Sequence, residues 1–278
     1  MDNGFFDVLI LSLVSGFTEF VPVSSQAHQQ IVMKLFGIRD IHPLLNLFIH
    51  MGILIALYLS CKNHILRIRR EINLKKIPKR RRKRHPDPQT VMDFSLIKHA
   101  SVFMLLGFLL YPFVGSWENL LPISAAFLII NGLILHIPMY IATGNKDSRS
   151  MTKLDSAAMG LSSALGIIPG ISRVGVGTSY GIARGADYQH VYRWNLLISI
   201  PALIVYCILD VVALFSVGFH DVSFLFVLFC LIGLGTALIG GLLAVNLLRI
   251  FSARSGISGL SYYCWGAALF AFILYLYT

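Results

Sequence analysis

The sequence predicts an all-α integral membrane protein with six transmembrane helices plus two re-entrant helical hairpins in an inverted repeat. Three observations predict it. Of 278 residues, 56% are apolar and only 13% charged, with a mean hydropathy of +0.73. A soluble domain carries about 25% charged residues, so this chain has too little polar surface to cover a water-facing globule. Six runs nearly free of Asp, Glu, Lys and Arg approach or exceed the roughly 20 residues that a membrane span needs. Two other apolar segments have polar cores bearing Pro and Gly, and irregular backbone at membrane depth is tolerated only where it is buried in protein or lines a cavity. Nothing outside these segments is long enough to bury a core of its own, so residues 1–278 read as a single membrane domain.

Taken in order, Val8–Ile31 is the first broken segment, with the core Gly16-Phe-Thr-Glu-Phe-Val-Pro-Val-Ser-Ser-Gln-Ala-His28. Met1 is followed by acidic Asp2 and Asp7 and by no small-residue cleavage site, so the first apolar run does not read as a signal peptide. Ile41–Cys61 spans. The connector from Lys62 to Arg84 then holds 12 of the 23 Lys and Arg. Pro78, Pro86 and Pro88 mark that stretch as a loop. Its basic run Lys75–Arg84 reads as a topology anchor that touches anionic headgroups, and without a folded recognition module it predicts no nucleic-acid partner. His99–Trp117 and Asn119–Asn145 are the next spans. Ser156–Gly185 is the second broken segment, with the core Pro169-Gly-Ile-Ser-Arg-Val-Gly-Val-Gly-Thr-Ser179. Leu196–Gly218, continuing through Asp210, Val222–Leu248 and Ser255–Thr278 complete the set. Cys61, Cys207, Cys230 and Cys264 stand singly in apolar surroundings and read as small buried hydrophobes.

The charges constrain the topology. Cytoplasmic connectors are rich in Lys and Arg, which puts residues 62–98 inside. Following the spans outward and back places Lys146, Arg149 and Lys153 inside as well. If the second broken segment dips in and returns, Arg184, Arg193, Arg249 and Arg254 fall on the same side, and the Gly218–Asp221 connector, free of Lys and Arg, falls outside. Each half is then a hairpin followed by three spans. Three is odd, so residues 146–278 are upside down relative to residues 1–145. The two broken cores also share Pro-x-x-Ser, at Pro22/Ser25 and Pro169/Ser172. Inverted repeats with broken helices commonly build a site for a polar ligand near the midplane.

Ionisable groups at that depth are expensive, about 2.5 to 3.5 kcal/mol each on insertion scales. Glu19 and Arg173, one in each broken core, should therefore face inward, toward each other or toward a polar ligand. One reading is a structural ion pair that locks the hairpins. The other is an anion site, since a guanidinium binds phosphate bidentately and Gly170, Gly175 and Gly177 let the backbone come close. Ser24, Ser25 and His28 supply hydroxyls and an imidazole. If a helix starts after Pro22, Ser25 and His28 share a face, within reach for proton transfer. His136 reads as a packing residue, whereas His50 lies in a span and is a candidate to line the cavity.

The first core resembles the E-G-x-T-E-F-x-P-V-S-S-T-G-H motif of the undecaprenyl pyrophosphate phosphatases of the bacitracin-resistance type, and the second is similar to that family's P-G-x-S-R-S-G motif. Ile49-His-Met-Gly52, Leu197-Ile-Ser-Ile-Pro-Ala202 and the stretch from Arg249 to Tyr263 extend the resemblance over nearly the whole chain. It implies a phosphatase in the bacterial cytoplasmic membrane with its site open to the outer face, recycling the carrier lipid of cell-wall glycan synthesis by removing the terminal phosphate of a polyprenyl diphosphate. Carried across, Ser25 would be the nucleophile, His28 its proton partner, Glu19 the group that helps hold a divalent cation, Mg or Ca, or orients the site, and Arg173 with Ser172 the diphosphate clamp. Ser24, Gly170, Gly175, Gly177 and Thr178 would complete the substrate site. Expected partners are the lipid substrate, membrane lipids and a second copy in a homodimer.

The sequence departs from the family pattern at three places. Ser15 stands where the first Glu is usual, Gln26-Ala27 replaces Thr-Gly, and Val174 replaces the Ser after the motif arginine. The loss of one of two carboxylates weakens the metal half of the site more than the phosphate half. Two functions therefore stand open on sequence: hydrolysis, or non-hydrolytic transport of a polyprenyl phosphate.

Overall fold

A computed structural model describes residues 4–141, 144–147, 149–218, 222–252 and 258–277. Arg254, Thr278 and the 219–221 part of the connector after Gly218 lie outside the described residues. The described chain is helical, with a lone bridge between Lys146 and Ala186 as its β pairing. Helices α1 (Phe5–Phe20) and α2 (Ser25–Phe36) form the first hairpin, and α7 (Lys153–Ala164) and α8 (Arg173–Ala183) the second. The long helices are α3 (Pro43–Lys76), α4 (Pro88–Leu105), α6 (Leu121–His136), α9 (Tyr188–Val217), α10 (Phe224–Ser252) and α11 (Leu260–Tyr277). Helix α4 runs on through a 3₁₀ turn, the short α5 (Tyr111–Val114) and a second 3₁₀ turn to form one helical stretch, Pro88–Trp117. Among the described residues, six helical stretches are long and apolar enough to cross a bilayer, and the protein is a multi-pass membrane protein.

The basic connector is more helical than its prolines suggest. Helix α3 continues 15 residues past Cys61, to Lys76, and α4 begins at Pro88. Lys, Arg, Glu and Leu are good helix formers, and their charge bars them from lipid but not from a helix. The loop expected over 62–98 therefore shrinks to 77–87, with Asp87 capping α4 through Gln89 N and Thr90 N and proline at its first position. Glu71 is buried at 2% exposure and gathers this connector: Arg84 Nη1 and Asp87 N both donate to its carboxylate, at 3.1 and 2.9 Å.

Packing repeats between the halves. Helix α1 lies on α10 and α7 on α4, so each hairpin's first helix rests on the second long helix of the opposite half. Helix α10 also packs on α3, and α4 on α9, while the first long helices, α3 and α9, pair with each other and the third, α6 and α11, do the same. Small residues bring these backbones together. A Cβ at Gly16 would come within 2.2 Å of the Ala237 carbonyl oxygen, the close approach by which membrane helices gain contact without a hydrophobic drive. Trp194, Phe20, Leu45 and Ile53 fill the interior, whereas Phe113, Phe215 and Phe224 are exposed on the outside, where acyl chains would cover them. Cys61, Cys230 and Cys264 are buried and Cys207 half-buried, and none of the four is in a disulfide.

Candidate active site

The two hairpins meet at their tips. Ser24, at φ +67°, is the positive-φ residue other than glycine among those described. This uncommon conformation turns the chain sharply so that α2 starts at Ser25. The Ser24 hydroxyl accepts from Gly170 N at 3.1 Å, which ties one tip to the other. Asn131 of α6 bridges both, donating to Pro22 O at 3.0 Å and accepting from Ser172 N at 2.9 Å. Ser172 in turn caps α8, its hydroxyl accepting from Gly175 N at 3.2 Å. The Pro-x-x-Ser echo thus marks two turns held by one amide, which sequence reasoning missed because an Asn inside a span signals a need for partners without naming them.

Beside this junction lies a cavity of about 300 Å³. Ser15, Glu19, Ser24, Ser25, Ser172 and Arg173 all line it. Arg173 Nη1 donates to Glu19 Oε1 at 3.2 Å, with the two side chains 8% and 17% exposed, and its guanidinium lies 5.2 Å from the centre of the Tyr206 ring. The Glu19–Arg173 pair therefore joins α1 to α8, and it does so on a cavity wall. Ser25 Oγ donates to Ser15 O at 3.3 Å. The start of α2 has no side-chain cap, so its first-turn N–H groups and positive dipole end stand next to the cavity, an arrangement that favours an anion.

The structure does not bring every expected residue here. His28 is buried and points away from Ser25. Its Nδ1 lies 2.8 Å from Ser24 O and its Nε2 2.8 Å from the Tyr263 hydroxyl, with the two rings stacked at 5.6 Å. A carbonyl only accepts, so Nδ1 carries the proton and, in the neutral ring, Nε2 accepts from Tyr263. Both ring nitrogens are spent supporting the strained Ser24 turn. Three-residue spacing puts Ser25 and His28 on neighbouring helical positions, but the rotamer and α11 decide where the imidazole goes. Gly170, Gly175, Gly177 and Thr178 also lie off the cavity lining. Gly170, at φ +98°, packs so tightly on α6 that a Cβ would come within 2.4 Å of Ser124 O, and a Cβ at Gly177 would meet Ser163 Oγ at 2.1 Å. Thr178 accepts from Asn195 Nδ2. These contacts seat the second hairpin against its neighbours.

The departures sort in the same way. Ser15 lines the cavity one helical turn before Glu19, and its buried hydroxyl has no hydrogen-bond partner; a glutamate there would aim a second carboxylate at the same space. Gln26 also lines the cavity. Ala27 packs against Leu128 and Ala268, and Val174 lies in the core, so neither substitution alters the cavity wall. Among the described residues, no group of three or more His, Cys, Asp or Glu is placed to hold a metal. An all-protein cation cage does not fit, but one carboxylate with hydroxyls does fit a hard cation that takes further oxygens from substrate phosphates.

Residues 8–270 match the family model described as bacitracin resistance protein BacA. The chain belongs to the BacA family. BacA-like relatives named undecaprenyl-diphosphatase come from Methanobrevibacter smithii, 30% identical over 95% of each chain, from Thermodesulfovibrio yellowstonii, 29% identical over 98% of each, and from Carboxydothermus hydrogenoformans, 28% identical over 94% of this chain and 93% of the relative. The similarity therefore includes both hairpins and all six long helices.

The cavity also holds residues from outside the two broken cores. Asn46, His50, Tyr206 and Asp210 line it. His50 was a candidate from its place in a span. Asp210 had a signal too, as an acid inside an apolar run, but its partners lie 160 and 164 residues away on α3, a distance no local pattern bridges.

Proposed function

We propose that this BacA-family chain is a membrane phosphatase that hydrolyses undecaprenyl diphosphate to the monophosphate and inorganic phosphate, returning the carrier lipid to cell-wall glycan synthesis. The observation that carries the proposal is the convergence of Glu19, Ser25 and Arg173 on one cavity, each positioned by a hairpin tip. Phosphoryl transfer asks mainly for positioning and charge neutralisation. Arg173 supplies a fixed positive charge and a planar fork for phosphate oxygens, and the uncapped start of α2 adds partial positive charge on the same side. Ser25 holds its hydroxyl where it can attack the terminal phosphorus or orient a water. His28 acts through the Ser24 carbonyl, keeping the turn that presents Ser25. Glu19, with the oxygens of Ser15 and Ser25, is the set that would hold Mg or Ca, and a cation bound there supplies further neutralisation of the phosphoryl charge.

The positive-inside rule supports placing the α3–α4 connector in the cytoplasm. The cavity is lined by Asp40 and Pro43 at the opposite end of α3 and by Ala213 near the end of α9, which supports a site open to the outer face of a cytoplasmic membrane. The exchange of helix contacts between the halves supports two inverted repeats, 1–145 and 146–278, with hairpins re-entering from opposite sides. The relatives are all named as phosphatases, and the transport reading has no support among them. The test is phosphate release from C55 diphosphate by purified protein with and without chelator. Turnover that is lost in Ser25→Ala is expected; binding without turnover at any divalent-cation concentration would refute the phosphatase reading.

A further inference from the structure

Asn46 and His50, one turn apart on α3, both reach Asp210 of α9. Asn46 Nδ2 donates to Oδ1 at 2.8 Å, and His50 Nδ1 lies 2.6 Å from Oδ2. Each carboxylate oxygen thus has its own donor, and the His50 and Asp210 side chains are only 18% and 10% exposed. The His50 ring stacks on Tyr206 at 5.3 Å and 18°, the same ring that Arg173 covers. One tyrosine therefore sets both groups on the wall of one cavity. A carboxylate accepts, so the proton sits on Nδ1, and Nε2 has no partner among the described residues. This is the opposite of His28, whose two nitrogens are both engaged.

We propose that His50 is a recognition residue for the diphosphate, its Nε2–H donating to a phosphate oxygen while Asp210 and Asn46 hold the ring. The inference rests on the phosphatase reading and adds a ligand to the same cavity. In the neutral ring with Nδ1–H on Asp210, Nε2 presents a lone pair and repels a phosphate oxygen; only the imidazolium donates from both nitrogens. Substrate binding is therefore coupled to a proton on His50, and no covalent bond forms or breaks at this residue.

The charged and titratable groups around it come from every neighbouring element. Helix α9 brings Asp210, Tyr206 and the Cys207 thiol. Helix α8 brings Arg173, α1 brings Glu19 and, at its start, Asp7. Asp40 and Tyr111 stand on the cavity wall, and His42 caps α3. Among described side chains, α10 adds the Cys230 thiol. Asp93 of α4 belongs to the far end of α3, where Arg67 pairs with Asp87, and Lys98 and His99 stand about one and a half turns beyond it along α4.

The experiment measures KM and kcat for C55 diphosphate with the full-length protein in detergent, from about pH 5.5 to about 8.5, a range in which histidine charge changes. His50→Leu is expected to raise KM about tenfold or more at the acid end, as loss of a charge-assisted hydrogen bond does, with kcat within about threefold. His50→Gln, whose amide donates at any pH, restores a low KM, and KM then rises less with pH than in the wild type; ionisation of the substrate affects both proteins alike. A His50→Leu KM close to wild type, a collapse of kcat with KM unchanged, or a Gln variant with the full wild-type pH dependence would overturn the inference. If His50→Leu does not fold, the pH dependence of His50→Gln decides alone. Wild-type protein that releases no phosphate would instead remove the phosphatase reading.

Discussion

Breaking the pair between Glu19 and Arg173 leaves a buried charge uncompensated, which typically costs about 3 to 5 kcal/mol. On the proposed function, a ligand with its own negative charge would take over part of Arg173, so the pair would serve both as a lock and as an anion site. Ser15 sits one turn away with an unpartnered hydroxyl. Ser15→Glu should lower the Mg concentration for half-maximal phosphate release about tenfold, because carboxylate count tunes affinity for hard cations; a titration unchanged by the substitution would show that the position does not face a cation. Glu19 and Arg173 were legible in the sequence because an ionisable residue in an apolar segment must find a partner. The direction of His28 was not, since it is fixed by Tyr263, 235 residues away. The glycines around Arg173 were legible as close-approach positions, but the helix backbone and side chains that they approach were not.

The hairpins and the α3–α4 connector illustrate two ways in which an element is fixed. A hairpin tip depends on contacts too tight for any added atom. Gly170→Ala places a methyl against Ser124 O and Phe127 Cβ on a backbone at φ +98°, and should destabilise by about 1 to 3 kcal/mol or expel the second hairpin; the thermal midpoint of the purified protein measures it, and an unchanged midpoint would contradict the packing described. The connector depends on charge. Thr90 and Arg67 hold the Asp87 carboxyl down at about 2, against its ordinary 3.8. A depressed carboxyl contributes stability that is complete above the unfolded value and is lost as pH falls through the folded one. The difference in unfolding midpoint between wild type and Asp87→Ala should therefore persist from neutrality to about pH 5 and fade between about pH 4 and pH 2. A difference that does not vary with pH would assign the effect to packing. The helix breaks at Pro22 and Pro169 are readable as polar, proline-bearing interruptions, while the extension of α3 into the basic run is not, because charge marks the end of a span and helix propensity does not stop there.

Across the whole molecule, apolar composition, the bias of basic residues and an odd number of spans per half predict a two-fold arrangement, and the exchanged pairings of α1 with α10 and α7 with α4 are consistent with it. Its product is a polar cavity that neither half could enclose alone: Glu19 and Ser25 arrive from one hairpin, Arg173 from the other, His50 and Asp210 from the two long helices that pair between the halves. The most direct test of this shared site is the rate of phosphate release from saturating C55 diphosphate by Arg173→Ala, compared with wild type, in protein shown to be folded by its thermal midpoint. A loss of about 10³-fold or more is expected for removal of an arginine that stabilises a transferring phosphoryl group; a rate within threefold of wild type would place the chemistry elsewhere.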